Sequence, residues 1–342
     1  MKILIFTDNH FCETSSIIRR QGNKYTVRLE NQIESLNWVE QLALDRECQA
    51  VICAGDFFDK AQLTDMELTA LKDIHWNELT HYFLVGNHES SVNGLLFNST
   101  KALEGPNRFV VSEPTVWKYA NDENEIRFLP YIIESDRKPI FEYFGKGLGK
   151  TIIISHNDIK GIQMGPVVSA IGFELKDFDD NADLVINGHL HNGQKVSKTV
   201  INLGNLTGQN FSEDAERYVH NVMILDTDTL KYELIENPYA FNFYKLEVNK
   251  AEDLEVFKHL KQNAAVTVKC NNKLVQEARE AIEKTANIIE SRLIITRDIA
   301  TETGEIDMSS FTVDHIAKFI ECAREHYGTD PILEEELAEV CK

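Results

Sequence analysis

Five runs of β-forming residues in this chain each stop within two positions of side chains able to bind a metal ion. Lys2–Phe6 leads to Asp8-Asn9-His10, Ala50–Ala54 to Gly55-Asp56, and Tyr82–Val85 to Gly86-Asn87-His88-Glu89. Thr151–Ser155 leads to His156, and Asp183–Asn187 to Gly188-His189-Leu190-His191. Among the side chains they supply are two aspartates, the asparagine of Gly86-Asn87-His88-Glu89 and several histidines. Imidazole favours zinc, iron and similar metals, whereas carboxylate and amide oxygens admit manganese and magnesium, so the mixture suits a pair of divalent ions better than one structural zinc. No cysteine lies in any of the five, which argues against a thiolate cage and for a hydrolytic two-metal site.

Such side chains meet only if the strands that carry them lie side by side. Runs rich in Val, Ile and Leu read as parallel strands buried on both faces, and in open α/β sheets the site lies beyond their carboxyl ends. The connecting segments read as helices. Arg28–Arg46 places Leu29, Ile33, Leu36, Val39 and Leu42 at helical spacing, and Thr64–Asn77 opens with Thr64 as N-cap and Glu67 closing a capping box. A further helix is expected after Glu89, its Leu95, Leu96 and Phe97 serving as core or as the seam of a homodimer.

His220–Leu225 and Leu230–Glu236 flank Asp226-Thr227-Asp228-Thr229 as a hairpin closing the sheet. Asn237-Pro238 breaks the pattern and marks a boundary. Beyond it, strands at Phe243–Val248, Ala265–Cys270 and Ser291–Arg297 alternate with helices near Glu252–Gln262 and Lys273–Ala286. Two helices, Thr312–Tyr327 and Pro331–Cys341, end the chain. The expected organisation is therefore an α/β domain over residues 1–236, a smaller α+β cap over 237–300, and a linker with a helical hairpin over 301–342.

At 342 residues the chain can bury a large core and a second, smaller one. Its six cysteines form no CxxC pair and read as reduced thiols of a cytoplasmic protein. No apolar stretch approaches the ~20 residues that span a bilayer, so membrane insertion and secretion are disfavoured. The formal net charge of −20 sits badly with nucleic acid as a substrate. It is uneven: residues 245–297 hold 10 basic against 8 acidic side chains, and 298–342 hold 3 against 12. Much of the phosphate-neutralising surface for DNA would then belong to a partner.

The ordered set DxH, GDxxD, GNHE, a lone His and GHxH resembles the calcineurin-like metallophosphoesterases, a β-sandwich flanked by helices. The helix-forming stretch between the first two motifs, Leu203-Gly204-Asn205-Leu206-Thr207 after the last, and the α+β cap resemble SbcD-type nuclease subunits, in a phage-sized version. That resemblance implies two divalent ions, manganese first, with magnesium, zinc and iron as alternatives. Asp8, His10, Asp56 and His191 would hold one ion, and Asp56, Asn87, His156 and His189 the other. His88 would touch the scissile phosphate or protonate the leaving oxygen. Asn9, Asp59 and Glu89 would orient the ligands; Asp59 stands where some relatives have His, and Glu89 where Asp is usual. The remaining six histidines read as structural.

The activity so implied is a DNA phosphodiesterase, a 3′ to 5′ double-strand exonuclease and single-strand endonuclease in repair and recombination. Its partners would be DNA, a second copy of the chain, and an SbcC-type ABC ATPase gripped by residues 309–342. It would work in the cytoplasm, the host's if phage-encoded. Two alternatives stand beside it: a phosphomonoesterase or nucleotide phosphodiesterase on the same scaffold, and a non-catalytic scaffold of a DNA-processing complex. Protein phosphatases of the superfamily carry GDxxDRG and clamp phosphate with that arginine, whereas this chain continues Asp59-Lys60-Ala61.

Overall fold

Residues 3–6, Ile-Leu-Ile-Phe, show how the strands build the layers. In a computed structural model, which describes residues 1–13, 22–91, 94–119, 124–147, 149–164 and 167–296, Ile3 and Ile5 enter one apolar layer while Leu4 and Phe6 enter another. The period of two of a β-strand demands this split. The first sheet runs in the order Lys231–Glu236, Asn221–Asp226, Lys2–Phe6, Ala50–Cys53, Thr80–Leu84, Arg108–Val111. Its last four strands are mutually parallel, and the expected hairpin adds the antiparallel margin.

The second sheet runs Gln194–Lys195, Val200–Asn202, Leu184–Asn187, Thr151–Ser155, Asn124–Leu129, Thr115–Tyr119, with its middle four strands parallel. Ile3, Ile5 and Ile52 of one sheet meet Ile152, Ile154 and Ile186 of the other, all six completely buried. Full burial of each such side chain contributes about 1.5–3 kcal/mol. The outer face of the first sheet packs on the Val27–Asp45 helix through Leu29, Leu36 and Val39. The outer face of the second is covered by Ile140 and Phe178 from two short helices. The α/β sandwich flanked by helices is therefore as expected from the sequence.

Three parallel strands, Asn242–Val248, Ala264–Asn271 and Ile288–Thr296, form a separate small sheet. One face is covered by the Ala251–His259 3-10 helix and the Val275–Lys284 α-helix; on the other, Phe243 and Ala265 pack with Phe241, Phe211 and Val27. Residues 1–296 make one compact unit. Asn237, at the expected boundary, is buried and donates to Leu206 O and Ser35 Oγ. The two C-terminal helices and the segment 309–342 lie outside the described residues. No helix among the described residues is long and apolar enough to cross a membrane.

Local expectations differ from the structure in two places. The capping box at Thr64 and Glu67 forms, but the α-helix stops at Ala70 and a 3-10 turn ends at Asp73. The Val27–Asp45 helix captures the next polar groups instead: Asn37 Oδ1 accepts from His75 N, and Glu40 accepts from Asn77 N. After Glu89, Gly94–Asn98 is a strand paired with Ser90–Ser91, not a helix. A short apolar run carries no period that separates the two. Lys24, in the loop after the first motif, pairs with Asp73 at 2.6 Å.

Candidate metal centre

All five carboxyl ends meet at one rim of the sandwich. The first sheet delivers Asp8, His10, Asp56 and Asn87, and the second delivers His156, His189 and His191. Cross-sheet bonds set their spacing: His189 N donates to Asp8 Oδ2 at 3.0 Å, and His156 Nδ1 donates to Ala54 O at 2.8 Å. Three groups of ligand atoms result, Asp8 with His10 and His191, Asp56 with His156 and His189, and His10 with Asp56 and His88. His10 Nε2 lies 3.0 Å from His191 Nε2 and 3.8 Å from Asp8 Oδ1. Asp56 Oδ2 lies 3.1 Å from His156 Nε2 and 3.9 Å from His10 Nε2, so it faces both sides. Asn87 Oδ1 lies 2.9 Å from His189 Nδ1.

Backbone conformation is unusual at four of these residues, half of the non-glycine residues of positive φ among those described. Asp8, His10, Asp56 and His189 hold φ of 51°, 48°, 47° and 73°, a left-handed region that costs a residue with a Cβ of order 1–3 kcal/mol and concentrates at functional sites. The motif glycines make room: a Cβ on Gly86 would strike the Asp56 carboxylate, and one on Gly55 would strike the His156 ring. Gly86→Ala is therefore expected to weaken cation binding about 10–100-fold, as displaced support of a ligand does, read by titrating the metal-free protein with manganese. Unchanged affinity would show that the close approach does not hold Asp56 in place.

The site fits divalent ions on two observations. Asp8 Oδ1, in the group with His10 and His191, is buried without a hydrogen-bond partner among the described residues, and a buried polar atom left so costs about 1–3 kcal/mol unless something meets it. Each ligand histidine also turns its other nitrogen to an acceptor. His10 Nδ1 meets Asp59 Oδ1 at 3.0 Å, His156 Nδ1 meets Ala54 O, His189 Nε2 meets Asp158 Oδ1 at 3.1 Å, and His191 Nδ1 lies 3.6 Å from Glu213 Oε1. This is how protein metal sites orient imidazole.

Without a cation, protons neutralise the cluster. Burial opposes charge on Asp8, but His156, His10 and His191 outweigh it and hold the carboxyl at about 2; Asp56 is held below its usual range by His156, His10 and His88 against the same burial. Burial likewise opposes charge on His10, yet Asp59 and Asp8 raise it to about 10, and Asp56 and Asp8 raise His156 to about 9. Cations must displace these protons. Manganese uptake at pH 7 is expected to release about two protons, from His10 and His156, with affinity falling as pH drops. Calorimetry in two buffers of different ionisation heat measures this; zero release would contradict it. In the metal-free chain the raised histidines support the fold below pH ~6.5, and that support is lost as pH climbs through about 9 to 10.

Of the residues expected to orient ligands, Asp59 does touch one: its carboxylate contacts His10, and it also contacts His88, whose Nδ1 lies 3.4 Å from Oδ1 and 3.1 Å from the Asp59 carbonyl. Glu89 accepts from Gly86 N and Phe58 N, anchoring two motif loops, and burial with the charge of Asp56 lifts its carboxyl to about 7. Among the described residues the Asn9 side-chain amide has no hydrogen-bond partner and so touches no ligand by one, while its carbonyl accepts from Gln32. Sequence reasoning missed Thr7, which donates to Asp8 Oδ2 at 2.5 Å, and Asp158 and Glu213. Only Asp158 carried a signal, its place two residues after His156.

The sequence profile of the calcineurin-like phosphoesterases matches residues 1–193. The chain belongs to that family. Two solved structures are similar to this phosphoesterase over part of its length. The TT1561 protein of Thermus thermophilus is 13% identical, with 69% of this chain and 98% of that chain covered and a TM-score of 0.42. A dimetal phosphatase from Danio rerio is 11% identical, with 69% and 99% covered and a TM-score of 0.38. No curated protein matches it. As a member of this family the chain is a hydrolase of phosphate esters for which two divalent metals are implied, and the clustered ligand groups are those such ions would use.

Proposed function

We propose that this phosphoesterase is a DNA phosphodiesterase, the SbcD-type nuclease subunit of a complex with an ABC ATPase, using manganese. The observation that carries the reading lies at Lys60. Where protein phosphatases of the superfamily place a phosphate-clamping arginine, this chain has a lysine whose ammonium is held 2.9 Å from the buried Glu67 carboxylate. The site thus lacks a free cationic clamp for a terminal phosphate dianion at this position. A diester carries one charge fewer and does not require the clamp.

A pair of divalent ions, when bound, stabilises the charge on the attacking and leaving oxygens of an in-line displacement. The chain's own residues do the rest. Asp56 faces both ligand groups, and Asp8, His10 and His191 complete one side while Asn87, His156 and His189 complete the other. His88, 41% exposed at its side chain, has Nδ1 engaged by Asp59 and offers Nε2 to the scissile phosphate or the departing oxygen. The acidic balance of the chain supports a partner that supplies basic surface, with residues 309–342 as the ATPase-binding segment and a homodimer as the working form.

The test incubates the purified full-length chain, with and without its ATPase partner, with manganese. Substrates are end-labelled duplex and single-stranded DNA beside mono- and bis-para-nitrophenyl phosphate. Shortening of DNA and cleavage of the bis-ester, with the monoester spared, supports the proposal. Hydrolysis of the monoester alone would replace it with a phosphomonoesterase, and two bound ions without hydrolysis of any substrate with a scaffold.

A further inference from the structure

His189 is turned the opposite way from the other histidines of the centre. His10 and His156 each give Nδ1 to an acceptor and keep Nε2 for the centre, whereas His189 gives Nε2 to Asp158 Oδ1 at 3.1 Å and directs Nδ1 at Asn87 Oδ1, 2.9 Å away. Both oxygens only accept, so Asp158 holds a hydrogen on Nε2 and leaves Nδ1 as the nitrogen turned toward Asn87 and the centre. Nδ1 and Asn87 Oδ1 are then the two atoms that would lie against a cation bound on this side.

Asp158 is placed firmly enough to impose this. It is 7% exposed, its carbonyl accepts from Phe173 N at 2.9 Å, and Ile159 and Phe173 bridge next to it. Gly172, at φ +113°, packs so close that a Cβ there would strike the Asp158 backbone. The segment about Ile159 and Phe173 therefore fixes the backbone from which the carboxylate reaches His189.

We propose that Asp158 is a positioning residue: it locks the His189 ring with Nδ1 toward Asn87 and so builds the cation site shared by Asn87, His156, His189 and Asp56. This rests on the two-cation reading of the centre. The test titrates the metal-free full-length protein with manganese by calorimetry, for wild type, Asp158→Ala and Asp158→Asn. In Asp158→Ala one of the two affinities is expected to fall about 10–100-fold, the range for losing a partner that orients a metal-bound histidine, while the other stays within about twofold. Asp158→Asn, whose amide oxygen still accepts from Nε2, should recover part of the loss. Nitrogen-15 histidine spectra of the metal-free protein should show a hydrogen held on His189 Nε2 in wild type and no longer held there in Asp158→Ala.

Should Asp158→Ala fail to fold, Asp158→Asn and the wild-type spectrum still decide. Two unchanged affinities, two equally weakened ones, or a wild-type His189 with no hydrogen on Nε2 would overturn the assignment. A wild-type chain that binds fewer than two cations would instead overturn the reading on which it rests.

Discussion

Asp56→Asn is expected to strip the protein of both cations and of hydrolysis together. Asp56 is 1% exposed, and its Oδ2 lies within 3.9 Å of a nitrogen from each side of the centre, His156 and His10. Its Oδ1 accepts from His88 N at 3.1 Å, so the carboxylate also holds the loop that carries Asn87 and His88. Asparagine preserves the shape but removes the charge that faces two dications. Removing one member of a buried charge pair costs about 3–5 kcal/mol, so each cation should bind at least some hundredfold more weakly. Asp8→Asn, whose ligand oxygen belongs to only one group, the one with His10 and His191, should lose one ion and keep the other. Elemental analysis after dialysis gives the stoichiometry, and two ions retained by Asp56→Asn would refute the shared-carboxylate arrangement.

His88→Ala is expected to keep both ions and lose hydrolysis. The ring stands edge-on to His10 with centroids 4.7 Å apart, and Asp59 occupies its Nδ1. Although His88 falls in a group with His10 and Asp56, its backbone N–H is already committed to Asp56, and its side chain is the most open of the centre's histidines. A residue that only protonates or orients the leaving group contributes on the order of 10²–10⁴ in rate, and that is the expected loss. His189→Ala, by contrast, should lose an ion as well as the rate. Loss of an ion in His88→Ala would make it a ligand; full activity would leave it no role in the chemistry.

What could be read directly from residue order was the strand ends. Each of the five β-runs is Val-, Ile- or Leu-rich because both its faces are covered, and that continuous burial separates such strands from half-exposed ones without any knowledge of the fold. The polar residues that follow therefore stood out as a set, and with them the family. The capping box at Thr64 and Glu67 was equally local, since its partners are three residues apart.

Tertiary structure decided everything that depends on partners distant in sequence. The Thr64 helix ends early because Asn37 and Glu40, on another helix, capture the amides of His75 and Asn77. Glu213 reaches His191 from well beyond the motif that carries it, and no spacing rule reports that. The direction of each imidazole was also beyond the sequence: His156 and His189 are the same residue type in similar loops, yet one offers Nε2 and the other Nδ1. The choice is made by which ring nitrogen is tied to an acceptor outside the ligand set, Ala54 O in one case and Asp158 in the other. Residue type sets which atoms can bind a cation, and only folding sets which of them are left free to do so.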